Sequence, residues 1–323
     1  MLNIEDIRRA ANRIEGLINT TPLITSDFLD HFTGTRVFLK AENLQKSGAY
    51  KIRGALNKVL QLTEQERRNG VIAYSSGNHA IAVSIAASVL DVHATVLMPS
   101  DAPAIKIRGA RENGAKVILY DRRRDNREEL CANLMETRAL TLIAPYDDYQ
   151  VMAGAGTAAL EAVNRLPASA RIDTVMLCCS GGGLASGWAT TTRTLLPDAS
   201  VYAVEPEDFD DTRRSLLHGQ RLGNDHRDGS ICDALLAATP GELTFEVMKV
   251  CGVQGVTVSD DQVCRAMNFA FAHLKMVLEP SGAAALAAIL ARKFPQPSQG
   301  VLAILSGGNV DAETFSRCLQ ICQ

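Results

Sequence analysis

Short apolar runs rich in β-branched residues alternate with helical stretches along most of the chain, and no other feature constrains the fold as much. "GVIAYSS" (70–76) reads as a buried strand, and "GNHAIAVSIAASVL" (77–90) as the helix behind it. The pattern repeats with the strand "HATVLMPS", the helix "APAIKIRGARENG", the strand "AKVILY", a helix around 126–138 and the strand "ALTLIAP". Later come "TVMLCCS" before a glycine loop and a helix, then "SVYAVEP", and near the end "GVLAILSGG". Parallel strands need a crossover between them, and a helix laid on the sheet is the usual one, so this alternation predicts an α/β fold. The expected architecture is two lobes, each an open, mostly parallel sheet with helices on both faces. Residues 68–143 hold a compact set of strands and predict a small domain; 1–67 and 144–323 then form the large one.

Composition removes several function classes. The chain has 323 residues, 46% of them hydrophobic and 21% charged, which suits a globular protein with room for two cores. Its net charge is −3 and it has no long basic run, so nucleic acid is not an expected partner. The densest basic stretch, "DRRRDNREE" (121–129), alternates with acids as a solvated helix start does. No apolar run reaches the roughly 18 residues of a membrane span, and no membrane partner is expected. At the N-terminus, Ile4, Ile7, Ala11, Ile14, Leu17 and Ile18 recur at helical spacing among acids, which predicts a surface helix and not a signal peptide. The eight cysteines are scattered, with no C-x-x-C pair matched by a second, as expected of reduced thiols in a cytoplasmic enzyme.

Five short motifs carry polar or reactive groups. In "SGAYKIRGA" (47–55), Lys51 follows a Ser-Gly turn, either as a solvated charge or as an amine held for an aldehyde. In "CCSGGGLASG" (178–187), a strand runs into glycines before a helix. Such a loop can aim backbone N–H groups at a phosphate, but close packing alone also selects glycine. It matches neither G-x-x-x-x-G-K-[ST] nor a clean G-x-G-x-x-G with its acid, which argues against ATP and NAD. "SSGNHA" (75–80) lies where a strand's C-terminal end meets a helix, the usual ligand position in open sheets. Its serines can equally cap the helix and its His79 can be a packed residue. "LEPSGAAALAA" (278–288) puts Glu279 and Ser281 ahead of an alanine-rich helix, and "ILSGGNVD" (304–311) ends a strand at Ser306.

Combined and in this order, the motifs resemble the fold type II pyridoxal-phosphate enzymes (the tryptophan synthase β-like fold), in particular the serine/threonine dehydratase and serine racemase family. "TTPL" (20–23), "LKAENLQKSGAYKIRGA" (39–55), "GAGTAALE" (154–161) and "VEP" (204–206) extend the resemblance over nearly the whole chain. It implies pyridoxal 5'-phosphate as cofactor, bonded through its aldehyde to Lys51. Tyr50, where the family usually has Phe, would lie beside it. Asn78 would meet the phenolic oxygen and Ser306 the pyridine nitrogen, and Glu279 would be a further cofactor-binding residue. Ser180, Gly181, Gly182, Gly183 and Leu184 match the phosphate cradle, with Ser180 replacing a common glycine. Ser75, Ser76, Gly77, Asn78 and His79 match the loop for the substrate's α-carboxylate.

The resemblance also implies chemistry. Lys51 would take the Cα proton of a 3-hydroxy amino acid (threonine, serine or 3-hydroxyaspartate), the β-hydroxyl would leave, and a 2-oxo acid and ammonia would result. Arg127 matches a position that can face a second carboxylate. Ser76 matches the second acid/base of racemases, so an amino-acid racemase is the alternative, and a non-catalytic cofactor-binding regulator a remoter one. Glu205, Asp211 and the Phe209 carbonyl match a site for Mg²⁺ or Ca²⁺. A homodimer is expected, and no regulatory domain beyond residue 323. "DGSICDALLAATPG" (228–241) departs from the family's usual pattern, which leaves the substrate side chain open.

Overall fold

The computed structural model describes residues 1–226 and 228–320; Cys322 lies outside them. Ten strands are found among these residues: β1 (Leu23–Ile24), β2 (Val37–Ala41), β3 (Val71–Tyr74), β4 (Ala94–Pro99), β5 (Lys116–Tyr120), β6 (Thr141–Leu142), β7 (Thr174–Cys178), β8 (Ser200–Pro206), β9 (Gln254–Val258) and β10 (Val301–Leu305). Six form a sheet in the order β1-β2-β10-β7-β8-β9, parallel except where β1 pairs antiparallel with β2. The other four form an all-parallel sheet in the order β5-β4-β3-β6. The α/β class and the two open sheets are as expected from the alternation.

Each sheet has its own apolar core. Under the larger one, Val175, Leu177, Trp188, Leu286 and Ile304 are buried together. Under the smaller one, Val71, Val83, Val96 and Ile143 join Ile14, Ile52, Leu56 and Val59. The core of the smaller sheet therefore draws on residues before 68, and the helix Lys51–Val59 packs against it. The N-terminal helix runs Ile4–Ile14 behind an Asn3 capping box. It stops short of Leu17 and Ile18 because Gly16 turns the chain at φ +73°.

Three strands had no counterpart in the sequence pattern. β1 is only two residues long. β2 carries Lys40 in a fully buried strand, where a charge reads as a surface residue; its ammonium is met by Glu161 and the Thr21 carbonyl, both at 2.7 Å. β9 contains Gly255, whose missing side chain makes room for Arg213. In the other direction, "ALTLIAP" shrinks to Thr141–Leu142 because the preceding helix ends on Ala139 in the left-handed region at φ +51°. Among the described residues, no helix is long and apolar enough to cross a membrane.

Candidate active site

Residues at or just beyond the C-terminal ends of β3, β4, β5, β7 and β10 line a single cavity of about 190 Å³. It brings together Tyr50, Lys51, Ser75, Ser76, Asn78 and His79 with the loop from Ser180 to Leu184, Glu279, Ser306 and Arg127. Of the expected cofactor and substrate positions, only Gly77 is absent from the wall. A side chain there would overlap the stem of Lys106.

Lys51 opens its helix, fixed by the Tyr50 N–H donating to the Ser306 carbonyl at 3.0 Å. Its Nζ donates to the Pro145 carbonyl at 2.7 Å and lies 5.4 Å from the Tyr50 ring centre. Burial pushes this amine down to about 8, with Cys178 working weakly the other way. It is no solvated surface charge.

The glycine loop serves both of the uses left open by its sequence. Gly182 precedes the helix Gly183–Leu195 at φ +93°, in the region that favours glycine, and no side chain caps that helix. The first intrahelical bond is from the Ser186 N–H to the Gly182 carbonyl, so the amides of Gly183, Leu184 and Ala185 remain available at the cavity wall. From behind, Thr244 Oγ1 donates to the Gly181 carbonyl at 2.6 Å. A Cβ at Gly181 would overlap the Tyr146 ring, and one at Gly182 would lie 2.7 Å from Met248 Cε. Close packing requires the glycines, and the uncapped helix start makes an anion cradle.

The groups facing this cradle are held by one another. Ser306 Oγ accepts from the Cys178 thiol at 3.1 Å, which leaves the serine's own hydrogen for an acceptor in the cavity. Burial pushes the Cys178 thiol up to about 11, so it keeps the hydrogen it donates. Asn78 Nδ2 donates to Glu279 Oε1, and its Oδ1 accepts from Asn309 Nδ2 at 2.9 Å. Ser75 Oγ accepts from the Gly77 N–H at 3.0 Å, and Ser76 Oγ donates to the Asp233 carbonyl at 3.3 Å. His79 is buried, and its ring nitrogen Nε2 lies 2.8 Å from the Ile143 carbonyl. Burial, and then the nearby Lys51, push it down to about 3, so the ring is neutral and Nε2 carries the donated hydrogen. Its side chain packs the helix start against the residue after β6.

At the opposite wall, the Arg127 guanidinium carbon lies 5.0 Å from the Tyr74 ring centre, and Nε donates to Glu128 at 2.7 Å. Burial works against its charge, but Glu128 outweighs this and holds it above its ordinary range. Arg122 lines the same wall.

Glu205 and Asp211 are fully buried and lie outside the cavity wall. The Glu205 oxygens accept the N–H groups of Thr212 (3.0 Å) and Arg213 (2.8 Å) at the start of the helix Asp211–His218. Asp211 Oδ1 accepts from Asn224 at 2.6 Å, while Oδ2 has no protein partner. Burial, with Asp211 next, raises Glu205 well above its ordinary range; burial raises Asp211 to about 7. Two buried acids with an orphaned oxygen fit a hard cation. Among the described residues, no three His, Cys, Asp or Glu side chains gather as a metal site, so a third ligand would be a main-chain oxygen such as that of the buried Phe209. Thr212 Oγ1 donates to the Ser180 carbonyl at 3.2 Å and ties this pair to the cradle.

Sequence reasoning missed Tyr146, Cys178, Lys106 and Asp233. Tyr146 and Lys106 lie in no polar motif, Cys178 opens the glycine-loop motif as an apolar strand residue, and Asp233 sits in the segment that departs from the family pattern, so only tertiary approach shows their roles.

A desolvated lysine amine, an uncapped helix start and a free hydroxyl line one cavity at the ends of two open sheets, the arrangement of an α/β enzyme suited to a small anionic ligand with an amine-reactive group. A family model described as "Pyridoxal-phosphate dependent enzyme" matches residues 14–307. An L-threo-3-hydroxyaspartate ammonia-lyase of Pseudomonas sp is 41% identical over 98% of this chain and 98% of its own length. A serine racemase of Schizosaccharomyces pombe is 38% identical over 98% and 96%. The structure of maize serine racemase superposes with a TM-score of 0.92 at 34% identity, covering 99% of this chain and 97% of the other. The chain belongs to the pyridoxal-phosphate dependent enzymes, in their fold type II branch of serine/threonine dehydratases and serine racemases.

Proposed function

We propose that the chain is an ammonia-lyase whose preferred substrate is 3-hydroxyaspartate, with serine and threonine as poorer ones. The observation that carries this reading is Arg127, a charged guanidinium set into the cavity wall beside Tyr74 with Arg122 close by. A guanidinium can hold a second carboxylate bidentately, and serine and threonine have none to offer. The activity for which the Pseudomonas relative is named supports the same substrate class.

When bound, pyridoxal phosphate supplies an aldehyde that captures the substrate amine and a ring that withdraws electrons from Cα. Lys51 would hold that aldehyde and then, as a free base with a pKa near 8, accept the Cα proton. The amides of the cradle would take the phosphate. Ser306 Oγ, which accepts from the Cys178 thiol, would donate its own hydrogen to the ring nitrogen, and a hydroxyl partner there would favour loss of the β-hydroxyl over transamination. Amides and hydroxyls of the 75–79 loop would receive the α-carboxylate.

A second reading, racemisation, is favoured by Ser76. Its hydroxyl faces the cavity and makes only a long bond of 3.3 Å, which it can exchange for substrate. Assay of the L- and D-forms of serine, threonine and the 3-hydroxyaspartate isomers, for both keto acid and enantiomer, separates the two. Arg127→Ala should lower hydroxyaspartate turnover roughly tenfold to a hundredfold more than serine turnover, the loss of a charge-assisted pair. Equal losses on both substrates would count against hydroxyaspartate.

Mg²⁺ or Ca²⁺ on Glu205, Asp211 and the Phe209 carbonyl also belongs to this reading. So does a homodimer, supported by the exposed Phe28 and Phe32 with His273 stacked on Phe28. Seven cysteines with no disulfide between them among the described residues support a reducing, cytoplasmic setting.

A further inference from the structure

We propose that Lys106 is a positioning residue, a buried lysine whose ammonium draws in two segments of the active-site wall and whose stem packs against a third. It lies on the helix Ala104–Glu112 that follows β4, and its surroundings in sequence suggest nothing but a helix. Yet it is only 1% exposed, and Nζ lies 2.7 Å from Asp233 Oδ2 and 2.7 Å from Glu279 Oε2. Its stem occupies the space that a side chain at Gly77 would need.

Each contact leads into the site. Gly77 belongs to the loop of Ser75, Ser76 and Asn78. Glu279 precedes the helix Pro280–Leu290, and its other oxygen accepts from Asn78. Asp233 lies in the segment that departs from the family pattern; its carbonyl accepts from Ser76, and the next N–H, of Ala234, donates to Ser281 Oγ at 3.0 Å. Lys106 and Gly77 sit on the smaller-sheet side of the cavity, Asp233 and Glu279 on the larger-sheet side.

The two sides are therefore joined by one cation between two anions. Burial disfavours the ammonium, but Glu279 and Asp233 outweigh it and keep Lys106 charged. Separating the sides would strand an ammonium on one and two carboxylates on the other, and stranded buried charge is strongly unfavourable. An exposed ion pair would resist little, but here only Asp233 retains some exposure, at 24%. Lys106 thus sets the spacing between the Ser75–Asn78 loop and the ring-facing wall of Ser306 and Glu279. The inference rests on the reading of the cavity as one that holds an amino acid between the two sides, and not on which amino acid it is.

Two variants test it in the cofactor-loaded full chain. Lys106→Met keeps a stem over Gly77 and removes the charge. Asp233→Asn keeps the ammonium and its pair with Glu279 and removes one support. Amide hydrogen exchange is followed without substrate, and kcat and KM are measured on the substrate that the wild type prefers. In Lys106→Met, exchange at residues 75–80 and 231–237 should rise roughly a hundredfold, as breaking a buried charge cluster implies, while β7 and β10 keep wild-type exchange. Asp233→Asn should show the same selective pattern with a smaller rise, and in both KM should rise by a larger factor than kcat falls. Unchanged exchange in the two segments, or a uniform rise over both sheets, overturns the proposal. If Lys106→Met does not fold, Asp233→Asn decides by the same criterion. A wild type that forms no keto acid would sink the lyase reading and leave the exchange result to stand.

Discussion

An amine reacts with an aldehyde only as the free base, so the pKa of Lys51 decides when the cofactor can load. At an ordinary 10.5 only a trace of the lysine would be free at neutral pH; burial brings it to about 8. The neutral fraction therefore rises through pH 8 and not through pH 10.5. Mixing cofactor-free protein with pyridoxal phosphate should give a visible band whose rate of appearance climbs between about pH 7 and pH 8 and levels off above about pH 9. A rate still climbing tenfold per unit above pH 9 would show an ordinary lysine, and Lys51→Ala should give no band. Lys51 was legible because its neighbours form a long motif. Lys106 was not, since a lone lysine on an amphipathic helix reads as solvated until the fold brings two acids to it. Cys178 read as an apolar strand residue, and its bond to Ser306 joins positions 128 apart in the chain.

At the scale of elements, the turn between β7 and the helix Gly183–Leu195 makes the sharpest demand on sequence. Gly182 needs both a positive φ and an absent side chain, with Met248 Cε and Thr244 Cβ at 2.7 and 2.9 Å from any Cβ placed there. Gly182→Ala should destabilise the fold by about 1–3 kcal/mol through backbone strain alone and pull the cradle amides out of line. Cofactor retained after dialysis should drop more than the thermal midpoint implies. A variant that retains cofactor like the wild type would mean that the loop is only a packing turn. The glycine run was visible in the sequence, though not its dual use, because packing and anion binding select the same residue. β2 and β9 were hidden for opposite reasons, one by a charge that burial had satisfied and the other by a glycine chosen for a neighbouring arginine. What periodicity conveys is the average environment of a segment, and these two strands are exceptions to theirs.

For the molecule as a whole, two sheets that share a cleft follow from strand and helix alternation, while the contribution of Ile14, Ile52 and Leu56 to the smaller sheet's core depends on a crossing that no local pattern encodes. The buried acids Glu205 and Asp211 bear on the stability of that whole. A carboxyl whose pKa is raised on folding favours the folded state at low pH, and that advantage is lost as pH rises. For Asp211 the window runs from its ordinary 3.8 to about 7. Above pH 7 the folded protein then holds a charged Asp211 beside Glu205, with Asp211 Oδ2 unpartnered. A bound divalent cation would offset that buried charge. At pH 8, Mg²⁺ or Ca²⁺ at a hundredfold excess over its Kd should raise the thermal midpoint by about 3–5 °C, and a chelator should reverse the gain. At pH 5 the gain should shrink, because the cation must displace a proton. Asp211→Asn should abolish the response and, in chelator at pH 8, melt above the wild type, since an amide carries no charge to bury. A variant that melts below wild type in chelator, with no cation response in either protein, would mean that neighbouring donors already satisfy the pair and that no metal belongs there.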